Sequence, residues 1–164
     1  MIEAVISLAA VIITVAAIST VVALSVSNTG FIGDQNKASK YAQEAMEYLR
    51  SLADDNFNSF KSKYVPSGIQ NSYCLGPNIN NPAGFSPSSI PPCNNAADKL
   101  EGTKFKRDVI VINQTSSATA VCAGGLKVIV SVRWQSGKCK ASAGESYCHN
   151  STLTSCFTDE ASLP

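Results

Sequence analysis

From Ala4 to Val26 the chain runs 23 residues without a charge, a glycine or a proline. Coiled as a helix, this run spans roughly 34 Å, enough to cross a bilayer core of about 30 Å. Its polar side chains are the hydroxyls of Ser7, Thr14, Ser19, Thr20 and Ser25, which can bond back to carbonyls of their own helix. Glu3 stands just ahead of it. A carboxylate at the lip of a membrane helix is costly unless something pairs with it. The pattern predicts a hydrophobic helix over residues 1–27, apolar on every side.

After Val26 comes SNTGFIGD, where Gly30 and Gly33 each weaken helix by about 1 kcal/mol relative to Ala. This predicts a soft spot, either a break or a locally unwound segment. Helical spacing then resumes: Ala38, Tyr41, Ala42, Ala45, Leu49, Leu52 and Ala53 form one apolar stripe. Lys40, Glu44, Glu47, Arg50 and Asp54 lie on other faces, with Lys40/Glu44 and Glu47/Arg50 at helical pairing distances, and read as a solvated surface. Residues 28–60 are thus the amphipathic continuation of one long helix, ending near Phe57–Tyr64 ahead of Pro66.

Residues 61–103 bring in Pro66, Pro77, Pro82, Pro87, Pro91 and Pro92 among many Asn, Ser and Gly. That chemistry makes turns and is expected to sustain neither a helix nor a central strand. So long a loop needs pinning. Cys74 and Cys93, 19 residues apart, would supply roughly 3 kcal/mol by loop entropy if joined. Residues 104–164 then read as an antiparallel sheet and a C-terminal disulfide region. Lys104–Asn113 is rich in β-branched residues. In Leu126–Trp134 an apolar set (Leu126, Val128, Val130, Val132, Trp134) alternates with Lys127, Ile129, Ser131 and Arg133. A weaker strand is expected over Ser151–Phe157. The predicted class is α+β: a long N-terminal helix whose stripe covers a small antiparallel sheet, with disulfide-pinned loops.

Composition adds constraints. All six cysteines (Cys74, Cys93, Cys122, Cys139, Cys148, Cys156) lie beyond the apolar run and none forms a CxxC pair. An even number there points to three disulfides in an oxidising compartment, with buried free thiols as the alternative. Six cysteines allow fifteen pairings; the sequential one, Cys74–Cys93, Cys122–Cys139 and Cys148–Cys156, is the first choice. One histidine, His149, and these spacings fit no zinc pattern. Net charge is +1 with no basic run, which gives no signal for nucleic acid. His149 beside Cys148 makes a poor nucleophile–base pair, and no phosphate loop, HExxH or nucleophile elbow is present. No catalytic site, metal or cofactor is expected. Asp159 with Glu160 is too small a cluster to predict calcium. Asn113-Gln114-Thr115 and Asn150-Ser151-Thr152 match the glycosylation sequon, a pattern common by chance. A cleaved signal peptide fits poorly, because the apolar run is about twice the usual length and lacks a basic flank and an A-x-A site. The missing flank leads to the expectation that a basic leader preceded Met1.

Met1-Ile2-Glu3-Ala4-Val5-Ile6 and Ala42-Gln43-Glu44-Ala45-Met46-Glu47-Tyr48-Leu49-Arg50 resemble the processed N-terminus and the later helix of a type IV pilin, the subunit of type IV pili and of pseudopili. The layout of the rest is similar, while recognisable motifs cover about the first third. The resemblance implies a structural subunit of a helical extracellular filament, or fimbrium, held in the inner membrane before assembly and polymerised by a pilus assembly machinery. It implies a homo-oligomer in which Glu3 pairs with the N-terminal amine of a neighbour, so that Met1 and Glu3 are the assembly residues. Ile2, Val5, Ile6, Leu8, Val11, Ile12, Ile13, Val15, Ile18, Val21, Val22 and Leu24 would form the filament-core helix. Such fibres serve cell adhesion, twitching motility or DNA uptake, through host-surface or DNA contacts. Two departures stand out: family members usually carry four residues before the Glu, and many carry a helix-melting proline where this chain has none before Pro66. Gly30 and Gly33 are expected to take that proline's place in the filament, together with the β-branched run Thr20–Val22. The alternatives are a minor pilin or secretion pseudopilin, a monomeric signal-anchored extracellular binding domain, and a Glu3 that only complements the helix dipole.

Overall fold

The computed structural model describes residues 2–66, 70–76, 85–87, 93, 99–100, 102–114, 121–122, 124–136, 139 and 147–159. The chain divides into two compact units, Met1–Asn36 and Lys37–Pro164. Its first element is the helix α1, Ile2–Asp55, 54 residues long. The helix does not break at Gly30 or Gly33, which corrects the expected soft spot for the single subunit. Two glycines cost about 2 kcal/mol together, less than a cooperative helix loses by ending and renucleating between two strong helical runs.

Asn56 ends α1. Its backbone is extended (φ −157°, ψ 96°), and its side-chain oxygen accepts the Ser59 N–H at 2.8 Å, so it caps the next helix, α2, Phe57–Tyr64. The single long helix expected to end in that region is therefore two helices, divided by a cap. α2 stops where Pro66 forces the preceding Val65 out of helical geometry (φ −137°).

Among the described residues the sheet is antiparallel, with five strands: β1 Gln70–Leu75, β2 Phe85–Pro87, β3 Phe105–Asn113, β4 Leu126–Trp134 and β5 His149–Phe157. They lie in the order β2-β1-β3-β4-β5. The strand over Leu126–Trp134 has the predicted bounds, and β3 and β5 match theirs within two residues. β1, which lies between β2 and β3, corrects the expectation that the proline-rich stretch sustains no central strand. Between its prolines lies QNSYCL, free of Pro and Gly, with Tyr73 and Leu75 on one phase. Pro87 is accommodated because β2 is an outermost strand.

The core of the second unit lies between the α1 stripe and one sheet face. Ala38, Ala42, Ala45, Met46, Leu49 and Ala53 are buried on the helix, and Leu126, Val128, Val130, Val132 and Trp134 are each at most 1 % exposed on β4. The registers Val109↔Val130 and Tyr73↔Val109 extend that face through β3 to β1. Alanines on the helix let it lie close to the sheet while the larger β4 side chains fill the layer, each contributing roughly 1.5–3 kcal/mol by burial. Phe60 of α2 closes one end against Phe157, with ring centroids 5.9 Å apart.

Three disulfides pin this unit: Cys74–Cys93, Cys122–Cys156 and Cys139–Cys148. The first has the predicted pairing. The other two replace the expected Cys122–Cys139 and Cys148–Cys156, and the β4–β5 register gives the reason. Pairing Trp134 with His149 puts Cys139 and Cys148 at one end of the two strands, and pairing Leu126 with Phe157 puts Cys122 and Cys156 at the other. Nine residues of strand separate the two ends, so the sequential pairs cannot meet.

Candidate assembly surface

In the first unit, the twelve predicted filament-core residues all lie exposed on the helix, from 55 % at Val22 to 78 % at Ile2. The helix is long and apolar enough to cross a membrane. Four of its hydroxyls bond the helix backbone: Ser7 donates to Glu3 O (2.8 Å), Thr14 to Val11 O (2.9 Å), Ser19 to Val15 O (2.9 Å) and Thr20 to Ala17 O (2.8 Å). Polar atoms so satisfied add little to the cost of an apolar environment. Small residues, Ala9, Ala10, Ala16, Ala17 and Ala23, would let a second helix approach closely. Glu3 lies in the first turn of α1, a position that complements the positive end of the helix dipole. Met1, the other predicted assembly residue, lies outside the described residues.

In the second unit the structure places charges where the sequence reading had put none. Arg107 lies on the helix-facing side of β3, with its side chain 2 % exposed. It donates to Tyr41 O (3.0 Å) and Gly76 O (3.3 Å) and lies 3.7 Å from Glu44. Burial lowers its pKa from the ordinary guanidinium value, and the nearby Glu44 and Tyr41 oppose that shift. Glu44 and Arg50 are exposed, as predicted, and Arg50 also donates to the Ser155 hydroxyl at 2.9 Å. The alternation of Phe105, Val109 and Val111 puts Arg107 on the inward phase, a signal readable in the sequence.

On the opposite sheet face, Asp108 accepts the Cys93 N–H at 3.1 Å and pairs with Arg133, while Lys106 donates to Cys93 O at 3.1 Å. The Cys74–Cys93 bridge is thereby tied down by charged groups of β3 and β4. Burial raises the Asp108 carboxyl above its ordinary value, outweighing the lowering effects of Arg133, the Cys93 N–H and Lys106. These groups are engaged with one another and with the backbone of Cys93.

Cys139, Cys148 and His149 come together, their candidate ligand atoms within 4.8 Å of one another. The two sulfurs are bonded to each other, and His149 Nε2 lies 2.8 Å from the Ser136 hydroxyl. Neither thiolate is available as ligand or nucleophile. Of the weak calcium pair, Asp159 is described and Glu160 lies outside the described residues. Asn150 and Thr152 of the second sequon are exposed on β5, whereas Thr115 of the first lies outside the described residues. No family model, curated protein or solved structure matches the chain.

Proposed function

We propose that this chain is the structural subunit of a helical extracellular filament of the type IV pilus kind. The observation that carries the reading is the exposed apolar helix with an acid, Glu3, in its first turn. Keeping the twelve residues from Ile2 to Leu24 in water forgoes on the order of 10–20 kcal/mol of burial, given their roughly two-thirds exposure. Two surroundings remove that cost: a bilayer, and a bundle of the same helices. Assembly is then an exchange from the inner membrane into the fibre, driven by an assembly machinery. In the bundle the alanines set close approach, and Glu3 neutralises the N-terminal amine of a neighbour and fixes axial register. Contacts of this head-to-tail kind do not close and so propagate a filament. Three disulfides suit a subunit that works outside the cell. The fibre would serve adhesion, surface motility or DNA uptake.

The test is the yield of chain in fibres sheared from cells. Glu3→Ala leaves the disulfide-bonded unit untouched and should abolish most of that yield while the subunit accumulates in the membrane. Wild-type chain recovered only from detergent-solubilised membrane, never in fibres, would favour the monomeric anchored domain. Normal fibre yield from Glu3→Ala would overturn the pairing role.

A further inference from the structure

The two edges of the sheet are built differently. β2 is three residues long and ends in Pro87, both of which blunt an edge against pairing. β5 is nine residues long and holds no Pro, Gly, Lys, Arg, Asp or Glu. It matches β4 residue for residue without a bulge. Among the described residues nothing pairs with its outer side. A long, regular edge without protective charge, proline or bulge is a template for another strand.

The strand itself indicates which one. Ser151-Thr152-Leu153-Thr154-Ser155 reads the same in both directions, and Leu153 is also the midpoint of His149–Phe157. We propose that a second copy of this chain docks on β5, the two strands pairing antiparallel about a two-fold axis at Leu153. In that register Leu153 faces its own counterpart, Ser151 faces Ser155, Thr152 faces Thr154 and His149 faces Phe157. All nine positions find a partner with no overhang, and no two like charges meet. Matched Thr–Thr and apolar pairs are among the favourable cross-strand combinations. A shallow groove runs beside the strand, with Glu47 and Arg50 of α1 on its wall. A two-fold axis offers such an acid and base to their opposites on the other copy, as an isologous interface requires.

The geometry also says which copies can pair. Ser39 meets Ser151 at 3.1 Å and Arg50 reaches Ser155 at 2.9 Å, so this part of α1 and β5 advance in the same sense. The axis that reverses one strand reverses that helical stretch too. Neighbours in a polar filament are related by one repeated screw operation, which a two-fold pairing is not, so the pairing joins copies from two separate fibres. The contact thus goes beyond the proposed filament, and the pairing itself does not depend on it.

The experiment uses the full chain in detergent micelles, with its mass measured by sedimentation over a concentration series. Three forms are compared: wild type, Thr152→Lys/Thr154→Lys and Thr152→Lys/Thr154→Glu. Both positions are exposed, and both variants lose the same Thr152–Ser131 hydroxyl contact. In the proposed register the first variant sets Lys against Lys twice, and the second sets Lys against Glu twice. Wild type and the Lys/Glu variant should dimerise, while the Lys/Lys variant should bind at least about tenfold more weakly. Any association through the apolar helix is common to all three forms. A monomeric wild type, a Lys/Lys variant as tight as wild type, or a Lys/Glu variant as weak as Lys/Lys would each overturn the proposal.

Discussion

Removing the Cys122–Cys156 bridge tests the fold where its chain path is least local. The bridge closes 34 residues, against 19 for Cys74–Cys93 and 9 for Cys139–Cys148. Loop-closure entropy assigns about 4 kcal/mol to the first and about 3 kcal/mol to each of the other two. Cys122→Ala/Cys156→Ala should therefore cost the most, about 4 kcal/mol, or a fall in Tm of roughly 10–15 °C for a unit of this size. Trp134 is 1 % exposed on β4, so its fluorescence during urea unfolding reports this directly. Thiol counting supplies the decisive arm. Cys122→Ala/Cys139→Ala removes one sulfur from each of two bridges and should leave Cys148 and Cys156 as two free thiols, stranded near opposite ends of β5. Under sequential pairing the same variant would have none. A count of zero would refute the β4–β5 register as well as the bridges, because the register is what brings the four sulfurs together in this combination.

The turn into β4 should distinguish two costs at adjacent glycines. Gly124 has φ +77°, so Gly124→Ala should lose about 1 kcal/mol through left-handed backbone alone. A Cβ on Gly125 would lie 2.5 Å from the Phe157 carbonyl oxygen, so Gly125→Ala should lose about 2–3 kcal/mol by forcing the end of β5 away. Equal losses in urea titration would contradict that close approach. The Tyr73 hydroxyl donates to Tyr64 O at 2.6 Å. Burial, aided by Tyr48 and Tyr73, pushes the Tyr64 hydroxyl up to about 12, and burial raises Tyr73 as well. Each neutral phenol is favoured in the fold, so this stability is intact below pH 10 and is lost as pH rises through the folded values. Alkaline unfolding followed by circular dichroism should show that loss, and Tyr64→Phe/Tyr73→Phe should flatten it. Gly30 and Gly33 have open space where a Cβ would go. Gly30→Ala/Gly33→Ala should leave the folded subunit unperturbed and lower fibre yield if α1 must loosen there on assembly; an unchanged yield would remove the soft-spot role.

The elements legible in the sequence are those with one strong period and no competing signal. Leu126–Trp134 alternates perfectly, and the structure gives it the same bounds. The α1 stripe was equally clear, because Ala38, Ala42, Ala45, Leu49 and Ala53 recur at helical spacing and all are buried. β1 was hidden by its surroundings: six residues of strand chemistry were outvoted by the prolines on either side, and pairing with β3 supplies what local propensity lacks. The bridges beyond Cys74–Cys93 were illegible for a different reason. Their pairing depends on the β4–β5 register, a long-range property that cysteine spacing does not encode.

The charges of β3 show where the hydrophobic–polar reading fails. In KFKRDVIVIN, read as a strand, the three charged residues Lys106, Arg107 and Asp108 are consecutive, yet all are at most 5 % exposed. Period 2 sends Arg107 to the helix side and its two neighbours to the other face, where both bind the backbone of Cys93. Burying such groups is costly unless each is hydrogen-bonded or paired. Here Arg107 binds the α1 carbonyl of Tyr41 and the β1-flanking carbonyl of Gly76, while Asp108 and Lys106 bind the backbone of Cys93. The pattern is one of positioning: three consecutive residues of one strand hold a helix, the end of a neighbouring strand and the backbone of the bridged Cys93. An apolar residue at Arg107 would fill the same layer but could not hold Tyr41 and Gly76 together, so the strand keeps its charge at the cost of desolvation.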